Sequence, residues 1–284
     1  MSTRRPFDVR DKVVLITGAG QGIGFALARK LHRAGAQVTL LDVDPTRLAG
    51  AGQKLAGAFT VTADVTDRAA MAEAARTVHA RHGRLDVVVA NAGVTPVPAT
   101  IRAMDLADYD RVVAINQIGV LNTVQPTLES IIATRGHVVV VSSCAAFSAG
   151  MGGSAYMSTK AAAEQIGRAL KLELAPHGAS AGVAYFGFVD TPLATATLDD
   201  DATGRRLDQL LGWPLNRRIS AEQAAASIAR GITRRAATTI APARWLPYSL
   251  LRGVVNPLLD QVLVRDRRVV ELIRELERRR EPRP

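Results

Sequence analysis

The sequence predicts a doubly wound α/β fold built around one parallel sheet. Short apolar runs rich in valine and isoleucine alternate with longer stretches of helical spacing. With 284 residues, of which 48% are hydrophobic, the chain can bury one large core. A glycine-rich segment follows the first apolar run, where such a fold turns from its first strand into its first helix. About seven strands are expected, at residues 12–17, 37–42, 59–63, 85–90, 137–142, 181–186 and 238–241.

The first strand leads into a glycine turn and then a helix. Lys12 to Thr17 is β-branched and apolar, and Gly18-Ala-Gly-Gln-Gly22-Ile-Gly24 follows it. Glycines let the backbone pass close to a pyrophosphate, and free amides at a helix start attract its negative charge. This order of strand, turn and helix predicts a dinucleotide site. Its expected contacts are Gly18, Gln21, Gly22, Ile23 and Gly24.

The second apolar run, Gln37 to Asp42, ends in an acid eighteen residues after Gly24. A carboxylate at that place can accept hydrogen bonds from the adenosine ribose hydroxyls, and it repels a 2′-phosphate. NAD(H) is therefore the expected cofactor, and NADP(H) is the alternative because Arg47 follows closely. A different interpretation makes Asp42 the N-cap of the helix that begins after Asp44-Pro45.

Tyr156 and Lys160 are four residues apart in the stretch from Ala155 to Leu174, which has helical spacing. Residues i and i+4 share a helix face, so the Lys160 ammonium is expected to lower the pKa of the Tyr156 phenol. A tyrosine activated in this way can exchange a proton with a substrate oxygen. Ser143, thirteen residues upstream, could donate a hydrogen bond to that oxygen. The alternative is a surface contact on a helix beside an unrelated turn serine.

Motifs over about residues 11–242 resemble those of the classical short-chain dehydrogenase/reductase family. The matching residues are Thr17 with its Gly-x-x-x-Gly-x-Gly turn, Asp64-Val65, Asn91-Ala92-Gly93, Asn116, Ser143, Tyr156, Lys160, Val189 and Thr191. The resemblance implies a Rossmann fold, a nicotinamide cofactor and assembly as a homodimer or homotetramer. The catalytic residues that it implies are Asn116, Ser143, Tyr156 and Lys160. The further cofactor contacts that it implies are Asp64, Val65, Asn91, Gly93, Tyr156, Lys160, Val189 and Thr191.

Some of these positions carry specific roles in the family. By resemblance, Asp64 and Val65 would contact the adenine. Asn116 would hold a water that links Lys160 to solvent, and Lys160 would also hold the nicotinamide ribose.

One position departs from the family pattern. The family usually has proline and glycine before the Val-x-Thr segment, whereas this chain has Phe186-Gly187 before Val189 and Thr191. Val189 and Thr191 would contact the nicotinamide carboxamide. We expect Phe186 to add an aromatic surface to the wall beside the nicotinamide.

The formal charge of +10 does not by itself indicate a nucleic-acid partner. Aromatic residues make up only 4% of the chain, and no nucleic-acid motif is evident. A solvated basic surface that helps attract an anionic cofactor is the favoured interpretation. The alternative is an adaptor that binds nucleic acid or a membrane.

The chain contains one cysteine, Cys144, so it can form no intrachain disulfide, which favours an intracellular, cytoplasmic protein. A small apolar residue beside the substrate site is the expected role of Cys144, rather than a nucleophile. The five histidines lack the spacing of a zinc site, and no metal is expected.

The chain is expected to divide into a frayed tail at 1–10, a catalytic domain at 11–242 and a helical extension at 243–284. Residues 193–215 would form a flap over the substrate, as in the family. Apolar residues expected in the flap and the pocket are Leu198, Leu207, Leu210, Leu211, Trp213, Phe147, Met151, Phe186 and Phe188. They predict a large apolar substrate, unless they only pack the flap against the body.

The extension begins with an apolar stretch, Trp245 to Val264, which two prolines and two charges interrupt. These interruptions argue against a membrane span. Arg265 to Arg280 has the spacing of an amphipathic helix, with Val269, Leu272, Ile273 and Leu276 on one stripe. We expect an arm packed on a neighbouring subunit or over the pocket. Peripheral binding to an anionic membrane is the alternative.

These features together predict an NAD(H)-dependent oxidoreductase that interconverts an apolar secondary alcohol and its ketone. One alternative is an NADPH-dependent carbonyl or fatty-acyl reductase. Another, of a different class, is a non-catalytic NAD-binding scaffold or sensor.

Overall fold

Seven parallel strands form the central sheet of the computed structural model, which describes residues 6–200, 205–206 and 214–278. With the two strands of a separate pair, the described residues contain nine strands: β1 (Val13–Thr17), β2 (Gln37–Asp42), β3 (Phe59–Thr62), β4 (Val87–Ala90), β5 (His137–Val141), β6 (Ser180–Phe186), β7 (Val189–Asp190), β8 (Ile219–Ser220) and β9 (Thr238–Ala241). The sheet order is β3-β2-β1-β4-β5-β6-β9, and β7 pairs with β8 separately. The predicted doubly wound α/β fold is confirmed, and each predicted strand starts and ends within two residues of its expected bounds.

Helices cover both faces of this sheet. They are α1 (Gly22–Arg33), α2 (Pro45–Gln53), α3 (Arg68–His82), α4 (Leu106–Val113), α5 (Gly119–Val124), α6 (Leu128–Ala133), α7 (Ser154–Leu174), α8 (Pro192–Ala194), α9 (Ala221–Arg234), α10 (Leu246–Arg265) and α11 (Arg267–Arg278). A π-helical turn, Ala114–Ile118, joins α4 to α5. A capping box opens α9: Ser220 Oγ accepts from the Gln223 N–H at 3.2 Å, and Gln223 Oε1 accepts from the Ser220 N–H at 2.9 Å.

Successive residues of β1 alternate between two cores, because side chains of a strand point to opposite faces. Val14 and Ile16 belong to the core beneath α1 and α9, and Val13 and Leu15 belong to the core beneath α3 and α7. All five residues of β1 are buried. This two-sided burial explains why the strand has a continuous apolar sequence rather than an alternating one.

The strand order reverses between β1 and β4. The chain passes from β1 to β2 and β3 on one side, and returns to β4 and β5 on the other. Connections that leave in opposite directions open a crevice at the carboxyl ends of these two strands, where ligands of open α/β sheets bind. Thr17 at the end of β1 and Asn91 just after β4 lie at this crevice.

The expectation of a frayed N-terminus is wrong for the described part of that segment. The Phe7 N–H donates to the Thr233 carbonyl at 2.7 Å, and the Arg235 guanidinium lies 4.5 Å from the centroid of the Phe7 ring. Val9 is buried in the core beneath α1 and α9. The segment has no regular periodicity, so its attachment depends on these individual contacts.

Two helices follow the last strand of the sheet. In α10 the Arg252 guanidinium makes two hydrogen bonds to the buried carboxylate of Glu164 in α7, one of them 2.9 Å long. Asn256 Nδ2 donates to the Phe147 carbonyl at 2.6 Å. These contacts fasten α10 to the body close to Ser143, since the turn Cys144–Phe147 directly follows that residue.

The apolar stripe of α11 packs against the body of the protein. Val269, Leu272 and Leu276 are buried, and Leu276 Cδ1 would lie 2.9 Å from a Cβ added to Gly152. The predicted stripe is therefore covered and does not face outward. Within the described residues, no helix is long and apolar enough to cross a membrane.

Replacing Arg252 by alanine should lower the free energy of unfolding by about 2 kcal/mol. The substitution leaves Glu164 buried without its bidentate partner, and Arg168, at 3.6 Å, compensates only in part. The value is obtained from urea unfolding. Arg265→Ala is the control, because Arg265 is exposed at the end of the same helix. Equal stability of the two variants would contradict the assigned role of the Arg252–Glu164 pair.

Candidate active site

The turn after β1 has a shape that depends on glycine at two positions. Gly18 has a positive φ of 63°, and a Cβ on Gly24 would lie 2.3 Å from the Gly18 carbonyl oxygen. Gln21 is the N-cap of α1 but makes no side-chain capping bond, and the first turn, which contains Gly22 and Ile23, has no acidic residue. Backbone amides at this helix start can therefore bind an anion, and the turn fits the pyrophosphate of a dinucleotide.

Thr17 and Asn91 connect the ends of β1 and β4. Thr17 Oγ1 accepts from the N–H groups of Asn91 and Ala92 at 3.0 and 3.1 Å. The Asn91 side-chain amide donates to the carbonyls of Thr17 and Gly18 at 2.9 and 3.2 Å. The Asn91 side chain thus fixes the glycine turn. The hydrogen bonds of Thr17 do not follow from the sequence alone, although a threonine between an apolar strand and a glycine turn is a visible signal.

Asp42 lies at the carboxyl end of β2, opposite the glycine turn. Its Oδ2 accepts from the Gly20 N–H at 2.9 Å, and its Oδ1 accepts from the Asp44 N–H at 3.1 Å. The interpretation of Asp42 as a helix N-cap is wrong, because Asp44 caps α2 by accepting from the N–H groups of Thr46 and Arg47. The Arg47 guanidinium pairs with Asp44 at 3.0 Å. A carboxylate beside the glycine turn fits the hydroxyls of an adenosine ribose.

Asp64 and Val65 follow β3 at the same edge of the sheet. Asp64 is exposed, and its Oδ1 accepts from the Thr66 N–H at 2.9 Å, which shapes the turn. Val65 is buried, and its carbonyl accepts from Asn122 Nδ2 at 2.9 Å. The two side chains thus differ in environment, with only Asp64 open to solvent.

Asn116 lies in the π-helical turn between α4 and α5 and is fully buried. Its Oδ1 accepts from the Val94 N–H at 2.8 Å, and its Nδ2 donates to the Val94 carbonyl at 2.9 Å and to Thr159 Oγ1 at 3.2 Å. A Cβ on Gly93 would lie 3.2 Å from both Asn116 Oδ1 and Lys160 Nζ. These two polar groups therefore adjoin the same space beside Gly93. Thr159 directly precedes Lys160 but is not among the residues that the sequence predicts for the site.

Tyr156 and Lys160 face each other along α7, as their spacing predicts. Lys160 Nζ lies 5.6 Å from the centroid of the Tyr156 ring and donates to the Val141 carbonyl at 3.2 Å. Lys160 is buried, with 4% of its surface exposed. Ser143 lies at the end of β5, where its Oγ accepts from the Ala145 N–H at 3.1 Å and donates to the Phe186 carbonyl at 3.3 Å.

Burial shifts both titrating groups toward their neutral forms. It raises the pKa of Tyr156, against the opposing effect of a hydrogen bond with Ser143. It lowers the pKa of Lys160 to about 8. The expectation that Lys160 lowers the pKa of Tyr156 is therefore not met in this structure, where desolvation exceeds the effect of the neighbouring groups. Burial also raises the pKa of the Cys144 thiol, which fits a packing role rather than a nucleophile.

Thr191 brings the loop after β7 to the glycine turn. A Cβ on Gly22 would lie 3.6 Å from Thr191 Cγ2. Thr191 Oγ1 donates to the Val189 carbonyl at 3.4 Å and accepts from the Ala194 N–H at 3.3 Å, so it caps α8. Val189 itself is buried. Thr191 therefore lies beside the glycine turn, whereas Val189 packs in the core.

The aromatic wall expected beside the nicotinamide is absent at Phe186. Phe186 is buried in the core beneath α1 and α9, and Phe147 is buried with Tyr185 and Trp245. Phe186 reaches Ser143 only through its carbonyl, which accepts from Ser143 Oγ. Every residue of β6 after Ser180 is buried, so the sequence alone does not tell which face a given side chain occupies.

An apolar groove of about 400 Å³ lies beside the start of α7. Its apolar lining includes Pro96, Val97, Pro98, Met104 and Leu276. The groove reaches Ala155, next to Tyr156, and Leu276 of α11 closes one side. The arm therefore contributes to the wall of a groove at the start of α7, the helix that carries Tyr156 and Lys160.

The described part of the flap is tied to the same region. Thr197 Oγ1 lies 2.5 Å from Thr95 Oγ1, and Arg206 pairs with Glu275 of α11. Leu207, Leu210, Leu211 and Trp213, together with the side chain of Leu198, lie outside the described residues. Met151 and Phe188 are half-buried. In the ranges 6–200, 205–206 and 214–278, no group of three histidine, cysteine, aspartate or glutamate side chains could hold a metal ion.

Three comparisons relate the chain to known proteins. A family profile described as short chain dehydrogenase matches residues 12–202. Oxidoreductase UcpA of Escherichia coli K12 is 37% identical over 193 residues, which cover 64% of this chain and 71% of UcpA. The 1-deoxy-11-beta-hydroxypentalenate dehydrogenase of Streptomyces avermitilis is 32% identical over 228 residues, covering 78% of this chain and 80% of that enzyme. A crystal structure of a short chain dehydrogenase/reductase from Burkholderia phymatum in complex with NAD shares the fold, with a TM-score of 0.77 at 24% identity over 87% of this chain and 94% of that one.

Replacing Lys160 by methionine should stabilise the ligand-free protein at pH 7 by about 2 to 3 kcal/mol. Because the folded-state pKa of Lys160 is lowered to about 8, the unfolded chain binds more protons between that value and the ordinary lysine pKa of 10.5. The stability of the wild type therefore rises with pH across this window, and the advantage of the variant shrinks. Urea unfolding at pH 7 and pH 10 measures this change. Lys171→Met, at an exposed position of the same helix, should give no pH-dependent difference. A constant advantage of Lys160→Met at both pH values would contradict a charge-burial penalty.

Proposed function

The chain belongs to the short-chain dehydrogenase/reductase family of oxidoreductases acting on CH–OH groups, and we propose that it interconverts an apolar secondary alcohol and its ketone with NAD(H). The observation that carries the proposal is the position of Gly93. On one side, the segment around Gly93 adjoins the glycine turn through Asn91; on the other, it adjoins Asn116 and Lys160. A dinucleotide turn and a proton-transfer group at one strand end are what hydride transfer at a carbinol carbon requires.

In this proposal the glycine turn and Thr191 hold the phosphates and the nicotinamide end of the cofactor. Bound NAD⁺ would accept the hydride and would add a positive ring charge near Tyr156. Tyr156 exchanges the proton with the substrate oxygen, and Ser143 donates a hydrogen bond that holds this oxygen in place. Lys160 and Asn116 hold the water beside Gly93 through which the proton reaches solvent.

The raised pKa of Tyr156 bears on the direction of the reaction. At neutral pH the phenol carries its proton and is ready to donate it to a ketone oxygen. Oxidation of the alcohol needs the phenolate, which becomes available as pH rises. Ketone reduction should therefore be faster than alcohol oxidation at neutral pH, and alcohol oxidation should have its optimum rate at alkaline pH.

An apolar substrate is supported by the groove beside Ala155. Most of its lining is aliphatic, and Leu276 completes it from the C-terminal arm. Residues 11–242 would then form the catalytic domain, and residues 243–284 an extension that narrows access to it. We expect a homodimer or homotetramer, as is common in the family.

Tyr156→Phe should reduce turnover at least about a thousandfold, because it removes the proton donor and leaves the ring in place. The affinity for NADH should stay within about twofold of wild type, since the hydroxyl is not needed to bind the phosphates. Turnover is measured with a panel of apolar ketones and of sugars, and NADH binding by fluorescence titration. Ser158→Ala, at an exposed position of the same helix α7, is the control and should retain full turnover. A fully active Tyr156→Phe would contradict the mechanism, and a wild type that binds NADH but turns over no substrate in the panel would favour the scaffold alternative.

NADH should bind at least tenfold more tightly than NADPH, a difference of about 1.4 kcal/mol. The Asp42 carboxylate lies where it would repel a 2′-phosphate, and Arg47, its nearest basic neighbour, is paired with Asp44. Asp42→Asn keeps the size of the side chain and removes the charge, so it should reduce the preference at least about fivefold. Asp67→Asn, at the exposed N-cap of α3, should leave the preference unchanged. Tighter binding of NADPH by the wild type would instead support the NADPH-dependent reductase.

A further inference from the structure

Helix α10 exposes an apolar face that no part of the described protein covers. None of its residues is buried, although the helix runs for 20 residues. Seven aliphatic side chains along it are between 46% and 76% exposed: Leu246, Leu250, Leu251, Val254, Leu258, Val262 and Val264. Exposed aliphatic residues are normally scattered singly, so seven on one helix mark an interaction surface.

These seven residues lie on one side of the helix. At 100° per residue they span an arc of roughly 160°, with Leu250, Val254 and Leu258 along its middle. The opposite side carries Arg252 and Asn256, which bind the body of the protein. At about 100 Å² for each side chain, the face measures on the order of 700 Å², beyond the largest apolar patch of a typical monomer.

The pattern of this face does not suit pairing with a second copy of the helix. A helix pair needs an apolar seam with alternating spacings of three and four residues. The seam through Leu251, Val254 and Leu258 continues at Gln261 and Arg265, and the seam through Leu250 and Val254 continues at Pro257 and Gln261. These two seams are interrupted in their second halves. A third, Leu251, Val255, Leu258 and Val262, stays apolar but ends at Arg265 after fewer than two heptads, whereas a coiled coil sustains three or four. A second copy would also bring an equal formal charge of +10 against this one.

A lipid surface matches the same features. The face is wide, convex and aliphatic, and Gln261 is its only polar side chain before the last residue of the helix. Exposed basic residues, Arg265 and Arg267, follow at its C-terminal end, where anionic headgroups can bind them, while Arg268 pairs with Asp266. The helix is not apolar enough to cross a bilayer, which leaves it in the plane of the surface.

We propose that α10 lies in the plane of an anionic lipid surface, with its apolar face among the acyl chains and its basic end among the headgroups. The bonds of Arg252 to Glu164 and of Asn256 to the Phe147 carbonyl then hold the edge of the protein near Ser143 at that surface. This docking does not depend on the reaction that the protein catalyses.

The test is flotation of the full-length protein with vesicles of phosphatidylcholine and phosphatidylglycerol, and with vesicles of phosphatidylcholine alone. The wild type should float with the mixed vesicles and less with the neutral ones. The triple variant Leu250→Gln, Val254→Gln, Leu258→Gln changes no charge, and its floated fraction should fall at least about tenfold. Glutamine keeps helix propensity, and thermal unfolding checks that the variant is folded.

A matched pair of single variants separates this face from general apolar exposure. Leu250→Gln should weaken flotation, whereas Leu172→Gln should not, although Leu172 on α7 is exposed to nearly the same extent, 73% against 75%. A wild type that stays with the unbound protein would overturn the proposal. So would a triple variant that floats as well as the wild type, because basic residues alone would then explain binding. A wild-type dimer that does not float and that the triple variant converts to monomer, as measured by light scattering, would assign the face to self-association instead.

Discussion

The hydrogen bonds between Thr17, Gly18 and Asn91 are the contacts on which the rest of the site depends. They join the ends of β1 and β4 at the place where the sheet order reverses, and so fix the glycine turn from which α1 begins. Beyond Asn91, the backbone of Val94 binds both ends of the Asn116 amide, and Asn116 in turn donates to Thr159 beside Lys160. Hydrogen bonds and short backbone segments thus connect the glycine turn to Lys160. A change at either end is transmitted through buried polar bonds, which are costly to leave unsatisfied.

Burying Lys160 and Tyr156 lowers the stability of the protein, and the proposed proton transfer explains why they are buried nonetheless. Lys160 is surrounded by protein, and the loss of hydration disfavours its charge as it disfavours the phenolate of Tyr156. A protein selected only for stability would place an apolar residue at position 160. A group whose pKa lies near 8 can take up and release a proton at physiological pH, whereas an exposed lysine keeps its proton. The cost in stability and the capacity to move protons thus have the same physical origin.

Local signals in the sequence predict most of the fold. Continuous apolar runs locate the seven strands, and the glycine spacing locates the turn after β1. The errors arise where the outcome depends on contacts distant in sequence. Phe186 is on a strand buried on both faces, so its position in a core or a pocket follows from the packing of helices and not from its neighbours along the chain. The direction of the pKa shift of Tyr156 likewise depends on desolvation, which spacing along a helix does not measure.

In the C-terminal arm, too, the sequence alone does not tell which apolar helix face is buried. Both α10 and α11 are rich in aliphatic residues, yet the stripe of α11 is buried and the corresponding face of α10 is exposed. The difference follows from what each helix contacts: α11 lies against Gly152, while α10 contacts the body mainly through polar groups on one side. Because Gly152 precedes Tyr156 and Phe147 follows Ser143, the two helices touch the segments that flank Tyr156 and Ser143. A surface that binds α10 would therefore restrain the segments that position Ser143 and Tyr156, and the proposed docking would couple to substrate access through the arm.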